Sequence, residues 1–183
     1  MSIVKFLVLG VVGMHKRAHG YAVHRELVSW HVESWTSVKP GSIYFAMKHL
    51  ALEGKLREVG TEDSEEGPER TTYELTKEGS LEFTRLLKGA FVSTDIQALS
   101  AGIAFMHLLP REEVLVLLRQ QQKVAGDIRD GLMGMTPNFP NREEPPHTKD
   151  LLELWSTRYG ATADWVEGVI RRLEAGEYTM AGE

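Results

Sequence analysis

Over most of this chain apolar positions recur every three or four residues, and they alternate only once, between about residues 56 and 76. Ile3, Val4, Phe6, Leu7, Val11 and Val12 form an apolar segment ending near Gly13. Its β-branched residues would allow a strand, but its length favours a buried helix. After the polar turn MHKRAHG, the positions Tyr21, Val23, Leu27 and Trp30 predict a second, amphipathic helix. In the stretch KPGSIYFAMKHLALEGKL, from Lys39 to Leu56, Pro40 and Gly41 predict a turn and Ser42 the N-cap of a third helix. Ile43, Met47 and Leu50 give that helix one apolar stripe, and Gly54 ends it. LREVGTE and RTTYELT then alternate around a polar, acidic loop containing Gly67 and Pro68, which predicts two short strands of a β-hairpin. Thr76 is placed to cap a helix running to about Val92.

The second half reads as helix throughout, apart from one loop. Ile96, Leu99, Ile103, Met106 and Leu109 precede Pro110, which with Glu112 and Glu113 marks a new helix start. Val114, Leu117, Leu118, Val124 and Ile128 continue that helix toward Met135. The segment 136–147 holds four of the seven prolines, so it is expected as a loop joining two antiparallel helices. From Thr148 to Ala175, Leu151, Leu154, Trp155, Tyr159, Thr162, Trp165, Val166, Val169 and Leu173 form a stripe too long and aromatic for one small domain to cover. A second copy of the chain is the expected cover, giving a homodimer through the C-terminal helices.

Composition narrows the class. With 42% hydrophobic and 26% charged residues, the 183-residue chain is of ordinary globular type, long enough for one large or two small domains. The absence of cysteine excludes disulfides, thiolate metal sites and a cysteine nucleophile, and fits a reducing cytoplasm. The basic residues of the N-terminus follow the apolar run and no small-residue cleavage site is present, so it does not read as a signal peptide. No apolar run is long enough to span a bilayer, and a cytoplasmic location is expected. The net charge of −5 argues against nucleic acid until it is divided: residues 1–60 hold eight Lys or Arg against four acids, and residues 93–183 hold nine against fourteen. A basic N-terminal third on an acidic remainder is compatible with a DNA-binding module joined to a different domain.

Three short helices followed by a hairpin is the pattern of a winged helix-turn-helix. By periodicity alone the Lys39–Leu56 helix reads as an ordinary amphipathic surface helix. Its remaining faces carry Lys39, Ser42, Tyr44, Lys48 and His49, groups suited to phosphates and base edges. Tyr21 and Tyr44 each read either as a half-buried aromatic or as a hydroxyl donating to a phosphate. His15 and His19 stand four apart, but no HExxH motif or carboxylate cluster accompanies them, so neither metal nor cofactor is expected. No nucleophile elbow, phosphate loop or GxGxxG occurs, which argues against an enzyme.

The motifs HGYAVHREL at 19–27, GSIYFAMKHLALEGKL at 41–56 and GPERTTYELTKEG at 67–79 resemble, in order and spacing, those of the PadR family of transcriptional regulators. The resemblance covers most of the chain. It implies a mainly α fold with a small β-hairpin wing: a winged helix-turn-helix over 1–92 and a C-terminal antiparallel helical dimerisation domain over 93–183. It also implies a homodimeric regulator, a repressor, bound to palindromic double-stranded operator DNA. His19, Tyr21, Lys39, Ser42, Tyr44, Lys48 and Arg70 are the expected DNA contacts. Two positions depart from the family pattern. Phe45 stands where the family usually has proline, which bears on the helix start, and Thr71 stands where a second basic wing residue is usual. Glu62, Asp63, Glu65 and Glu66 make the wing tip acidic, which leaves Arg70 as its main contact. Ligand-responsive relatives bind planar aromatic compounds, and Trp30, Trp155 and Trp165 are the candidate pocket for a small aromatic effector, with core and dimer packing as the plainer role. The competing class is a winged-helix module that binds protein rather than DNA.

Overall fold

The computed structural model describes residues 2–64, 67–135 and 147–183, without the side chains of 62–69. It divides into two compact units, residues 1–90 with 95–105 and residues 91–94 with 106–183. Among the described residues no helix is long and apolar enough to cross a membrane.

The first unit is built on α1 (Ile3–His15), a helix buried from Phe6 through Val12. Burial on every face explains why its sequence shows no amphipathic period. Around it lie α2 (Gly20–Ser29), the one-turn α3 (Val32–Trp35) and α4 (Pro40–Leu52). The two-residue strand β1 (Ala18–His19) joins β2 (Leu56–Ser64) and β3 (Gly67–Leu75) in an antiparallel sheet ordered β1-β3-β2. The expected hairpin is therefore the larger part of a three-stranded sheet, with His19 opposite Thr72 and Ala18 opposite Tyr73. Its strands are longer than alternation predicts, because backbone pairing continues through polar residues as far as Ser64 opposite Gly67. Of the acidic wing tip, Glu65 and Glu66 and the side chains of Glu62 and Asp63 lie outside the described residues.

Then follow α5 (Lys77–Phe91) and α6 (Ile96–Ala104). Thr76 caps α5 as expected: its hydroxyl accepts from the Gly79 N–H at 3.0 Å and donates to the Gly54 carbonyl at 2.7 Å. Residues 95–105, which lie beyond the expected boundary at 92/93, pack with the first unit. Phe105 is the reason, since its ring is fully buried 5.6 Å from Phe6, 5.3 Å from Phe83 and 5.3 Å from Trp30. An ionic cluster ties α1 to the end of α4, where Glu53 pairs with Lys5 and, at 2.9 Å, with Lys55. Hydrogen bonds from these two lysines hold the Glu53 carboxyl at about 2, well below its ordinary value.

The second unit contains a short 3₁₀ turn (Met106–Leu108), α7 (Arg111–Met135) and α8 (Thr148–Glu174). Arg111 at the start of α7 reaches the carbonyl of Leu173 at the end of α8, and Arg129 lies beside Gly160, so the two helices run antiparallel as expected. Val114, Leu115, Leu118 and Ala125 on α7, and Ala163, Val166, Val169, Ile170 and Leu173 on α8, form the shared core. The Arg111 guanidinium also donates twice to the Glu183 carboxylate, at 2.7 Å each, and to the Tyr178 carbonyl. The buried positions of the predicted α8 stripe, Val166, Val169 and Leu173, all lie in its C-terminal half, where Trp165 is exposed. Leu151, Leu154 and Trp155 in the other half remain exposed, Leu154 to 65%.

Candidate nucleic-acid interface

The turn at 36–39 and the first residues of α4 set the register of the outward face. Helix α4 begins at Pro40 rather than after Ser42, so the expected N-cap is corrected to Lys39. Proline fits the first helical position because it brings a preset φ and lacks only an N–H that would have no helical partner. Ser42 bonds back from the third position. Its hydroxyl accepts from the Lys39 N–H at 3.1 Å and donates to the Lys39 carbonyl at 2.6 Å. Phe45 stands in mid-helix and leaves the start unaltered.

The other end closes as the sequence predicts. Gly54, at φ +70°, donates to the Ala51 carbonyl while Lys55 donates to that of Leu50, a double bond pattern that needs a left-handed residue. Between the caps, Ile43, Met47 and Leu50 are buried as predicted, together with Ala46. Tyr44, Phe45, Lys48 and Leu52 face solvent.

Five of the seven expected contact residues gather at one recess of about 380 Å³, lined by His19, Tyr21, Tyr44, Lys48 and Arg70 with Gly20, Met47, Thr71 and Tyr73. Sequence reasoning missed the last four. Gly20 shows why they meet: a Cβ there would lie 2.4 Å from the Tyr44 ring, so only glycine lets α4 seat its tyrosine against the start of α2. His19 is the N-cap of α2, and its Nδ1 accepts from the Ala22 N–H at 3.1 Å. In the neutral ring this leaves the proton on Nε2.

The His19 and Tyr21 rings stack 6.3 Å apart, and the Arg70 guanidinium lies 5.1 Å from the centre of the Tyr21 ring. Because β1 pairs with β3, the HGY turn and the wing strand are joined by backbone as well as by this contact. Tyr73 is buried, and its hydroxyl donates to Glu58 at 3.3 Å. Burial, reinforced by that carboxylate, pushes its phenol up and keeps it neutral. None of the nine lining residues is acidic, in a chain whose net charge is −5.

The other expected positions are elsewhere. Lys39 and Ser42 sit at the start of α4, outside the recess, and the Ser42 hydroxyl is engaged with backbone. Trp30 belongs to the first unit, half-buried at the edge of the Phe105 cluster. Trp155 and Trp165 stand on α8 in the second unit, 42% and 46% exposed. Neither lines the open cleft of about 730 Å³ between α7 and α8, which is bordered by Arg129, Met133, Glu153 and Gly160 among others. The Arg158 guanidinium lies 5.1 Å from the Trp155 ring and 5.0 Å from Tyr159. Among the described residues no group of three or more His, Asp or Glu side chains is placed to hold a metal ion.

Known proteins share this arrangement of sequence. Residues 8–85 match the model of the transcriptional regulator PadR-like family. The chain is similar to the solved structure of Bacillus subtilis PadR in complex with operator DNA, at 21% identity over 93% of this chain and 98% of that one, with a TM-score of 0.43. A PadR-like transcriptional regulator from Bacillus cereus is 18% identical over 94% of this chain and 99% of its own, with a TM-score of 0.40. Bacillus subtilis PadR in complex with p-coumaric acid is 19% identical over 94% and 99%, with a TM-score of 0.39. No curated protein matches the sequence. The matched residues carry the HGY turn, helix α4 and the strands of the wing, and over them the chain is similar to the PadR-like family of transcriptional regulators.

Proposed function

We propose that this regulator is a homodimeric repressor that binds a palindromic operator in the cytoplasm, with α4 of each copy entering the major groove. The observation that carries the reading is the recess beside α4, which brings together two cations, two exposed tyrosine hydroxyls and an imidazole N–H without a carboxylate. Every one of those groups can donate to phosphate oxygens. Lys48 and Arg70 supply charge, and Tyr21, Tyr44 and His19 supply directional donors. Lys39 adds charge at the helix start, and Ser42 holds that start in place.

Two copies would present two such faces. The exposed Leu151, Leu154 and Trp155 on α8 are the surface on which a second copy docks in this proposal. Release by a small aromatic effector completes it, with Trp155 under the Arg158 cation offering a surface for a planar anion, and Trp30 and Trp165 as further reporters. Quenching of tryptophan fluorescence and loss of the DNA complex across a panel of phenolic acids test that step.

The decisive experiment for DNA binding is a titration of the full chain against a duplex selected from a randomised library, repeated across salt concentrations. The expected result is a log–log slope of several counterions, with Lys48→Ala weakening the complex and lowering the slope by about one. Binding that ignores salt, or an affinity untouched by both Lys48→Ala and Tyr44→Ala, would overturn the proposal in favour of a protein-binding winged helix.

A further inference from the structure

Helix α4 turns two different lines of residues outward and inward. Ile43, Ala46, Met47 and Leu50 are buried, whereas Gly41, Phe45, Lys48 and Leu52 follow one another at spacings of four, three and four on the solvent side. Phe45 lies within this outer line, 65% exposed. A Cβ built at Gly41, one turn before it, meets nothing within 4 Å, so the space above the start of the helix is open. The Phe45 ring is not unsupported, since its centre lies 4.5 Å from that of His49, one turn further on. Single exposed apolar residues are common on protein surfaces. This one stands between Tyr44 and Lys48, which line the cationic recess, on the helix that enters the groove in the reading above.

We infer that Phe45 is a specificity-determining residue that reads the 5-methyl group of a thymine in the major groove. The inference rests on the DNA-binding proposal and deepens it. In that groove thymine alone among the four bases presents a methyl group, and an apolar side chain is the matching contact. Phenylalanine has no hydrogen-bonding group, so it cannot read the amino, carbonyl or ring-nitrogen edges that distinguish the other bases. Lys48 and Arg70 position the protein on phosphates without regard to sequence, and Phe45 adds discrimination at one base pair per half-site. His49, whose ring lies tilted at 45° against that of Phe45, restricts where it can point.

The test is a cycle of protein and DNA changes that removes the same contact from either side. The probe is a labelled duplex selected from a random library against the full chain, together with copies in which each thymine in turn is replaced by deoxyuridine, which lacks only the methyl. Wild-type protein is expected to bind about fourfold more weakly at one symmetry-related thymine pair for each methyl lost, the worth of one such group leaving water. Phe45→Ala is expected to bind the thymine duplex correspondingly weakly and to be indifferent to the deoxyuridine change, while Phe45→Leu keeps part of the discrimination. Because Phe45 is exposed, both variants are expected to keep the wild-type melting temperature, which is measured alongside. Equal deoxyuridine effects in wild type and Phe45→Ala, or none at any thymine, overturn this inference and leave DNA binding standing. Failure of the library to yield any preferred duplex overturns both.

Discussion

The Arg70 guanidinium sits 5.1 Å from the centre of the Tyr21 ring, so the wing and the first turn of α2 meet through a cation–π contact at the surface. Contacts of this kind at exposed sites contribute about 0.5–1 kcal/mol. Arg70→Ala is therefore expected to change folding stability by about 1 kcal/mol or less in urea titrations. Its larger effect falls on DNA, with affinity lowered and the salt slope reduced by about one. Arg70→Lys should restore the slope but not the full affinity, because an ammonium does not reproduce the flat stacking of a guanidinium on the ring.

Gly20 and Tyr44 form a second pair whose separation is testable. A Cβ at residue 20 would stand 2.4 Å from the Tyr44 ring. Tyr44 is 44% exposed, so its ring can swing toward solvent, and Gly20→Ala should cost less than the roughly 1–3 kcal/mol of overpacking a closed core. DNA affinity should fall about as far as in Tyr44→Ala. The double variant should be no weaker than Tyr44→Ala alone, because the second change displaces a ring that is already gone. Additive losses would show that Gly20 acts by another route.

Acid should weaken the first unit through Glu53. Its carboxyl is lowered from 4.5 to about 2 in the fold, first by the Lys5 hydrogen bond and then by that of Lys55. A carboxyl depressed in this way contributes stability that is complete above its unfolded value and is lost as pH falls from about 4.5 toward 2. Thermal melts of Glu53→Gln should lie below those of wild type at pH 6, and the two should converge as pH approaches 2. Glu74 and Glu82 are also lowered, by Arg57 and Arg85 respectively, so wild type keeps some acid sensitivity when Glu53 is removed.

Leu154 offers the clearest test of assembly, being 65% exposed on the N-terminal half of α8. Leu154→Lys should leave the melt of the isolated chain intact while weakening self-association at least tenfold, about 1.4 kcal/mol. Sedimentation velocity at micromolar concentration reads this directly. An unchanged sedimentation coefficient would overturn the proposed docking on this face of α8.

Much of this fold is legible where a residue acts on its own neighbourhood. Thr76 and Gly54 announce their caps through local bonds, and the three-and-four spacing from Thr148 gives α8 within one residue of its end. The missed elements are those made by distant partners. Ala18 and His19 become a strand only because Tyr73 and Thr72 lie opposite, and the single turn Val32–Trp35 is too short to show a period. Phe105 joins the first unit through rings at positions 6, 30 and 83, which no local pattern foretells. The same division holds at the site. Motif residues such as Tyr44 and Arg70 could be picked out singly, whereas Met47, Thr71 and Tyr73 became part of the recess only through folding.

The separation of the two lines on α4 has a consequence for how such a regulator can diverge. Residues 43, 46, 47 and 50 are buried and anchor the helix, and residues 41, 45, 48 and 52 are exposed. A lineage, or an engineer, can therefore exchange the outer four with little loss of stability, and in the proposed mode of DNA binding a change at Phe45 alone would alter which sequence is preferred.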